Sequence, residues 1–221
     1  MNDLVKNFKE MVFREQNIHS EPYTTAQIIA EYTGTKQSAI ERLIRDHKKD
    51  FEYFGIFGFE IRKIPGRGRP QKVYKLNEQQ ATLLITYLRN TDQVRAFKKE
   101  LVRQFYDMKQ ELSKCREYRC QLKPTSKTLA EAVKENTPPE HLHTYTYSNF
   151  FSLVHKIALG KSTAQLKKER GIPQGANIPD YLTADELERV YKADSAIVAM
   201  LGLGMDYQSI KSALVKPSVS S

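Results

Sequence analysis

A chain of 221 residues with 35 Lys+Arg against 26 Asp+Glu carries a formal charge of +9 and a pI near 9.4. That length favours two modest domains over one, and the excess charge points to a polyanion or an anionic membrane surface without dictating a fold. Cys115 and Cys120 stand about 140° apart on a helix, too far around to pair. With no signal peptide, no long apolar run and no disulfide framework, a soluble cytoplasmic protein with reduced thiols is expected.

His141 and His143 have no companion cysteines at finger spacing, and the chain has no Walker loop, GxSxG elbow or HExxH helix. No catalytic role, metal or cofactor is therefore expected. The charge is unevenly placed: residues 1–123 hold 24 Lys+Arg against 16 Asp+Glu, residues 124–221 hold 11 against 10. Nearly all of the excess lies in the first part.

In chain order, residues 9–24 read as a short strand or hairpin arm. "TTAQIIAEYTG" then predicts a helix of two to three turns, with Thr24 and Gln27 as a capping box and Gly34 as its left-handed end. After the glycine, "TKQSAIERLIRDHKKDF" sets Ile40, Leu43, Ile44 and His47 at helical spacing, opposite Gln37, Ser38, Glu41, Arg42, Arg45 and Lys49. Two short helices about a Gly-containing turn, the second basic on its outer face, are a helix-turn-helix candidate, although such pairs also serve as ordinary packing.

Next come two expected strands, "FEYFGIFGFEIRKI" and "QKVYKL", joined by "IPGRGRPQK" as a hairpin. Between Glu60 and Glu78 lie six basic side chains and no acid. A turn needs the glycines and prolines but not the arginines. Placed after a helix-turn-helix, the hairpin would be a wing with Arg67 and Arg69 at its tip. Arg67-Gly68-Arg69-Pro70 also matches the RGRP core of the AT-hook, a minor-groove motif in which glycine lets the backbone lie close to the groove floor. Minor-groove insertion, phosphate contact alone and a plain turn remain open for it.

From Asn77 the pattern is helical to about Asn90, and a longer run extends to about Leu122. Its apolar positions Val94, Phe97, Leu101, Phe105, Met108, Leu112 and Cys115 form a nearly heptad seam with one stutter. A helix packed on its own domain accounts for the seam up to Met108. Beyond that point the run is polar all round, which leaves a two-chain coiled coil or an exposed connector. "KPTSKT" and "NTPPEH" read as helix breaks and linkers, and the boundary is expected near Pro124.

The remainder reads as all helical. Its helices are "YSNFFSLVHKIALG" ending at Gly160, "STAQLKKERG" opened by Ser162 and Gln165, "TADELERVYKADSAIVAMLGLG" opened by Thr183 and Glu186, and "DYQSIKSAL". Nearly neutral, it suits a protein-interaction module better than a second DNA binder, although "STAQLKKERGI" could begin another helix-turn-helix.

The stretches "TTAQIIAEYTGTKQSAIERLI", "GRGRPQKVYKLNEQQATLLITYL" and "VRQFYDM" resemble, in order and spacing, the phage regulatory protein Rha family. The resemblance covers roughly residues 11–110. It departs from the family at Gln37 and Ser38 and in "NEQQA", which bears on the bases read. It implies a winged-helix module of temperate phages, fused to a separate C-terminal domain in the manner of modular phage antirepressors and acting in a bacterial host.

The expected fold is therefore α+β: an N-terminal winged helix-turn-helix over residues 1–90, a long helix and coiled coil for homodimerisation over 91–123, and an all-α interaction domain over 124–221. The expected function is a phage-type transcriptional regulator that binds double-stranded DNA. Lys36, Gln37, Ser38, Arg42 and Arg45 would meet the major groove or its phosphates, Arg67 and Arg69 the minor groove, and Lys72 the backbone. Glu41 could accept from a cytosine or pair with Arg45. The alternative is an antirepressor that binds a repressor without touching DNA, against which the charge asymmetry argues. An RNA-binding or nuclease-associated factor ranks last, for want of an acidic metal cluster and of exposed aromatic stacking motifs.

Overall fold

The computed structural model describes residues 9–56, 58–62 and 71–214. The expected hairpin tip, with Arg67 and Arg69, lies outside the described residues. The chain divides into two packing units, one taking the described residues up to Glu15 and Ser20–Gln110, the other taking Gln16–His19 and the described residues from Glu111 onward. The architecture is mostly helical, with one small antiparallel sheet near the N-terminus and one long helix.

The first unit runs β1 (Tyr23–Thr25), α1 (Ala26–Thr33), α2 (Gln37–Asp46), α3 (Lys48–Glu52), β2 (Gly58–Arg62), β3 (Gln71–Asn77), α4 (Glu78–Tyr87) and the first part of α5 (Asp92–Asn136). The strands lie in the order β1-β3-β2, paired from Tyr23↔Asn77 to Thr25↔Lys75 and from Gly58↔Lys75 to Arg62↔Gln71. β2 and β3 thus form the expected hairpin, although Phe51 and Glu52, read as the start of a strand, belong to α3. The expected hairpin arm is present as an antiparallel bridge between Phe13 and Tyr23, closed by two backbone hydrogen bonds of 2.7 Å.

Ile29, Ile40, Ile44, Phe51, Leu76, Leu84, Phe97 and Leu101 close one core under α1, α2 and the sheet. Each such side chain contributes roughly 1.5–3 kcal/mol on full burial. Gln104 ties the N-terminal arm to α5, accepting from the backbone of Met11 at 2.7 Å and of Val12 at 3.3 Å.

The cap of α1 differs from expectation by one residue. Thr25, not Thr24, accepts from Ile28 N–H at 3.3 Å, while Thr24 turns its side chain inward from β1. Local sequence treats the two threonines alike, and burial separates them.

In the second unit, α6 (Thr144–Leu159) packs along α8 (Ala184–Gly202), with α7 (Thr163–Arg170), α9 (Tyr207–Leu214) and two 3-10 turns, Pro139–His141 and Ile178–Tyr181, around them. Both expected capping boxes form. Ser162 and Gln165 exchange bonds of 2.8 and 3.3 Å, and Thr183 and Glu186 exchange bonds of 3.0 and 3.3 Å. Gly160 ends α6 at φ 71, a left-handed value that costs glycine little.

The helix expected to break at "KPTSKT" does not. α5 continues through Pro124 to Asn136, so the boundary expected near Pro124 falls inside a helix, and the packing units meet in sequence at Gln110/Glu111. A mid-helix proline forfeits one hydrogen bond and crowds the carbonyl four residues back, at about 3 kcal/mol. Leu122, Leu129 and Val133 flank it in the second unit's core, and their burial outweighs that cost. The same burial occupies the seam. Phe97, Leu101 and Phe105 lie in the first core and Cys115 and Leu122 in the second, so these apolar edges are already covered within one chain.

One part of the second unit comes from far upstream. Ile18 is buried in its core, donates to Asp180 O at 2.9 Å and accepts from Arg116 Nε at 3.3 Å.

Candidate nucleic-acid interface

The α1–α2 pair is set by a three-residue connection. Gly34 takes φ 68 and donates to Ala30 O, Thr35 N–H follows to the same carbonyl at 3.1 Å, and α2 starts after Lys36. A Cβ at position 34 would sit 3.5 Å from the Gln93 side chain, whose amide donates to Tyr32 O at 2.9 Å. The left-handed backbone conformation therefore favours glycine there, while the Gln93 side chain would meet a Cβ only at ordinary contact distance.

α2 buries Ile40 and Ile44 and turns Ser38, Arg42 and Arg45 outward. At 3.6 residues per turn these three fall within about 60° of arc, one polar stripe on the exposed side. Lys36 stands exposed at the N-cap and makes no side-chain cap bond. Arg42 is drawn toward Asp46 at 3.4 Å, with both side chains more than half exposed, so this pair is worth a fraction of a kcal/mol and yields readily to a stronger anion. Arg45 has no acidic partner among the described residues. Gln37 is half-buried and donates to Glu41 at 2.9 Å, and no ion pair joins Glu41 to Arg45 among the described residues.

Lys72 projects from β3 with its ammonium 3.9 Å from the centre of the Phe59 ring and 5.1 Å from that of Tyr74. These cation–π contacts hold the stem while leaving the charge without an acidic partner among the described residues. Arg45 and Lys72 meet at one shallow hollow of about 220 Å³, whose walls also include Ile44, Lys48, Ile56 and Tyr74. Lys48 is paired with Glu52 at 3.1 Å. The hollow thus joins the basic stripe of α2 to the β2–β3 hairpin.

Two features escaped sequence reading. Lys48 belongs to the short helix α3, whose five residues are too few for a periodic signal. The apolar rim is the other: Tyr53 and Ile56 are 84% and 97% exposed, and Phe59 and Ile61 on edge strand β2 are more than half exposed. All four fall in the expected strand "FEYFGIFGFEIRKI", and aromatic and β-branched residues mark strands without saying which face is covered.

The Tyr87 hydroxyl donates to Asp50 at 3.2 Å, and burial with this carboxylate raises its pKa, so it stays a donor. The contact fixes α3 against α4. Among the described residues no group of three or more His, Cys, Asp or Glu is placed to hold a metal ion. No helix there is long and apolar enough to cross a membrane.

A helix pair with a basic outer stripe beside a three-stranded antiparallel sheet makes this unit an α+β module. Residues 24–110 match the family model of the phage regulatory protein Rha. The match begins in β1 and ends at Gln110, the last residue of the first packing unit, and so contains the whole hollow. No curated protein matches the chain.

Proposed function

We propose that the first unit is a winged helix-turn-helix that binds double-stranded DNA, and that the protein is a transcriptional regulator of phage type. In it α2 is the recognition helix and the β2–β3 hairpin the wing. The observation that carries this reading is the meeting of Arg45 and Lys72, neither with an acidic partner among the described residues, on the hollow between helix and hairpin. Ser38, Arg42 and Arg45 would face the major groove, where an arginine can take guanine O6 and N7 together. Lys36 and Lys72 would hold phosphates, and Gln37 would reach DNA only by leaving Glu41. Arg67 and Arg69 keep their proposed place at the wing tip, in the minor groove of A·T-rich flanks.

The second unit is the protein-interaction module of this proposal, and the site of action is the cytoplasm of a bacterial host. Dimerisation through residues 94–122 is not retained, since that seam is filled from within the chain. Fluorescence anisotropy with A·T-rich and G·C-rich duplexes over a salt series tests the proposal. A log–log slope near zero would overturn it, because every neutralised phosphate releases counterions.

A protein-binding antirepressor is the second reading. It is favoured by exposed Phe59 and Ile61 on β2, which stands at the end of the strand order, a position where another chain can add a strand.

A further inference from the structure

The second unit contains a cavity of about 420 Å³ between α5, α6, α7 and α8, within the usual size range of ligand sites, roughly 300–1,000 Å³. Leu122, Phe151, Val154 and Val190 make most of its wall apolar, and Asp194 of α8 reaches it from below. Asp194 is only 1% exposed. Its Oδ2 accepts from Ser126 at 2.8 Å, and its Oδ1 has no hydrogen-bond partner among the described residues. A buried carboxylate with half its acceptor capacity unused is costly, by several kcal/mol for an unpaired charge. A chain that needed only to pack α8 would place an apolar residue there, as it does at Val190 and Ile197 on the same face.

Two cations, Arg119 and Lys167, and one imidazole, His155, also line the cavity. Arg119 is neutralised by Asp180 at 2.7 Å. Lys167 is half-buried on a four-carbon stem that can carry its ammonium to water. His155 shares Nδ1 with the Thr163 hydroxyl at 2.9 Å, and burial pulls its pKa down to about 4, so the ring is neutral near pH 7. An apolar box with one buried anion, one unused acceptor and a neutral imidazole is complementary to a compact cation carried on an aromatic or aliphatic body.

We propose that this cavity binds a small organic amine or amidine, with the Asp194 carboxylate as counter-ion and the apolar wall enclosing the ligand's body. The second unit is then a ligand-sensing module as well as a packing unit. Nothing in this depends on the first unit binding DNA.

Benzamidine, a flat amidinium on a phenyl ring, is a suitable probe, and benzamide is its neutral isostere. Titration of the full chain by ligand-observed NMR at pH 7.5 should give saturable one-to-one binding of benzamidine, at least tenfold tighter than that of benzamide. Asp194→Asn should weaken benzamidine at least tenfold and leave benzamide nearly unchanged. Ala176→Phe, which keeps the carboxylate but fills the cavity from its wall, should weaken both. Burial pushes the Asp194 carboxyl up to about 6, so at pH 5 only about a tenth of it is ionised and benzamidine binding should fall about tenfold. Absence of saturable benzamidine binding, equal binding of the two probes, or undiminished binding by Asp194→Asn would each overturn the proposal.

Discussion

Asn77 and Gln80 cap one another and, with the same side chains, fasten the hairpin to the helices. Asn77 Oδ1 accepts from Gln80 N–H at 2.8 Å and Gln80 Oε1 accepts from Asn77 N–H at 3.2 Å. The two amides also reach back. Asn77 Nδ2 donates to Phe54 O at 2.8 Å, and Gln80 Nε2 donates to Gly55 O at 2.9 Å and Phe51 O at 3.3 Å. The end of β3, the start of α4 and the loop leading into β2 are thereby one polar joint, with Gln80 itself 1% exposed.

Replacing Gln80 by alanine removes half of the capping box and takes the side-chain donor from Gly55 O, while Phe51 O keeps its bond from Phe54 N–H at 3.1 Å. A lost cap costs about 1 kcal/mol and each buried unsatisfied group about 1–3 kcal/mol, so a loss of about 2–3 kcal/mol is expected after partial rehydration. Hydrogen exchange of the full chain should show it as faster exchange in residues 71–87, with the amides of α8 unchanged. Equal exchange in both variants would mean that the joint contributes nothing.

Arg45→Ala and Lys72→Ala should each weaken DNA binding and make the log–log salt slope shallower by about 0.9, the value of one phosphate contact. If Arg45 reads a base instead, its variant should keep the slope and lose discrimination at one position by about 1–3 kcal/mol. Asp46→Ala frees Arg42 and removes an exposed acid from the same helix, so it should tighten binding to all duplexes. Anisotropy at three salt concentrations separates these outcomes, and an Asp46 variant that binds more weakly would remove α2 from the interface.

Sequence reading succeeded for most local determinants, the Thr24–Gln27 cap of α1 excepted. Ser162 with Gln165, Thr183 with Glu186, and the glycines at 34 and 160 declare themselves within four residues, and each does in the fold what its spacing implies. It failed where tertiary burial decided. Pro124 reads as a break, but Leu122, Leu129 and Val133 on either side are core residues that keep the helix intact. Ile18 gives no sign that it belongs to a core built mainly from residues beyond 110. Asp194 did carry a signal that went unread: it lies four residues after Val190, three before Ile197 and seven before Leu201, the spacing of the buried face. At the candidate site, the stripe of Ser38, Arg42 and Arg45 was legible from periodicity, whereas the meeting of Arg45 with Lys72 depends on how α2 packs against the sheet.

The occupied seam on α5 changes what a charge placed there should do. Leu122→Asp puts a carboxylate into the second unit's own core, at a cost of several kcal/mol. Sedimentation should give parent and variant the same mass, while the urea midpoint of the variant falls. A parent that dimerises and a variant that does not would restore the coiled coil.

His155 and Asp194 line the same cavity, and burial displaces their pKa values in opposite directions, His155 from 6.5 down to about 4 and Asp194 from 3.8 up to about 6. Between about pH 4 and 6.5 the unfolded chain holds a proton on His155 that the folded chain does not, so this group makes stability rise with pH. Over about pH 4 to 6 the folded chain holds a proton on Asp194 that the unfolded chain has lost, so this group makes stability fall with pH. Each displacement corresponds to about 3 kcal/mol at 1.36 kcal/mol per pH unit, and the two largely cancel. The parent's dependence over this range should therefore come mainly from other groups. Asp194→Asn removes the falling contribution, so relative to the parent its stability should increase as pH rises from 4 to 6, ending higher at pH 7 because a buried charge is gone. His155→Gln removes the rising contribution, so its stability relative to the parent should decrease over the same range. Urea unfolding at half-unit pH steps reads both differences. Two variants with the same sign of difference would show that the cavity does not hold these groups in opposite states.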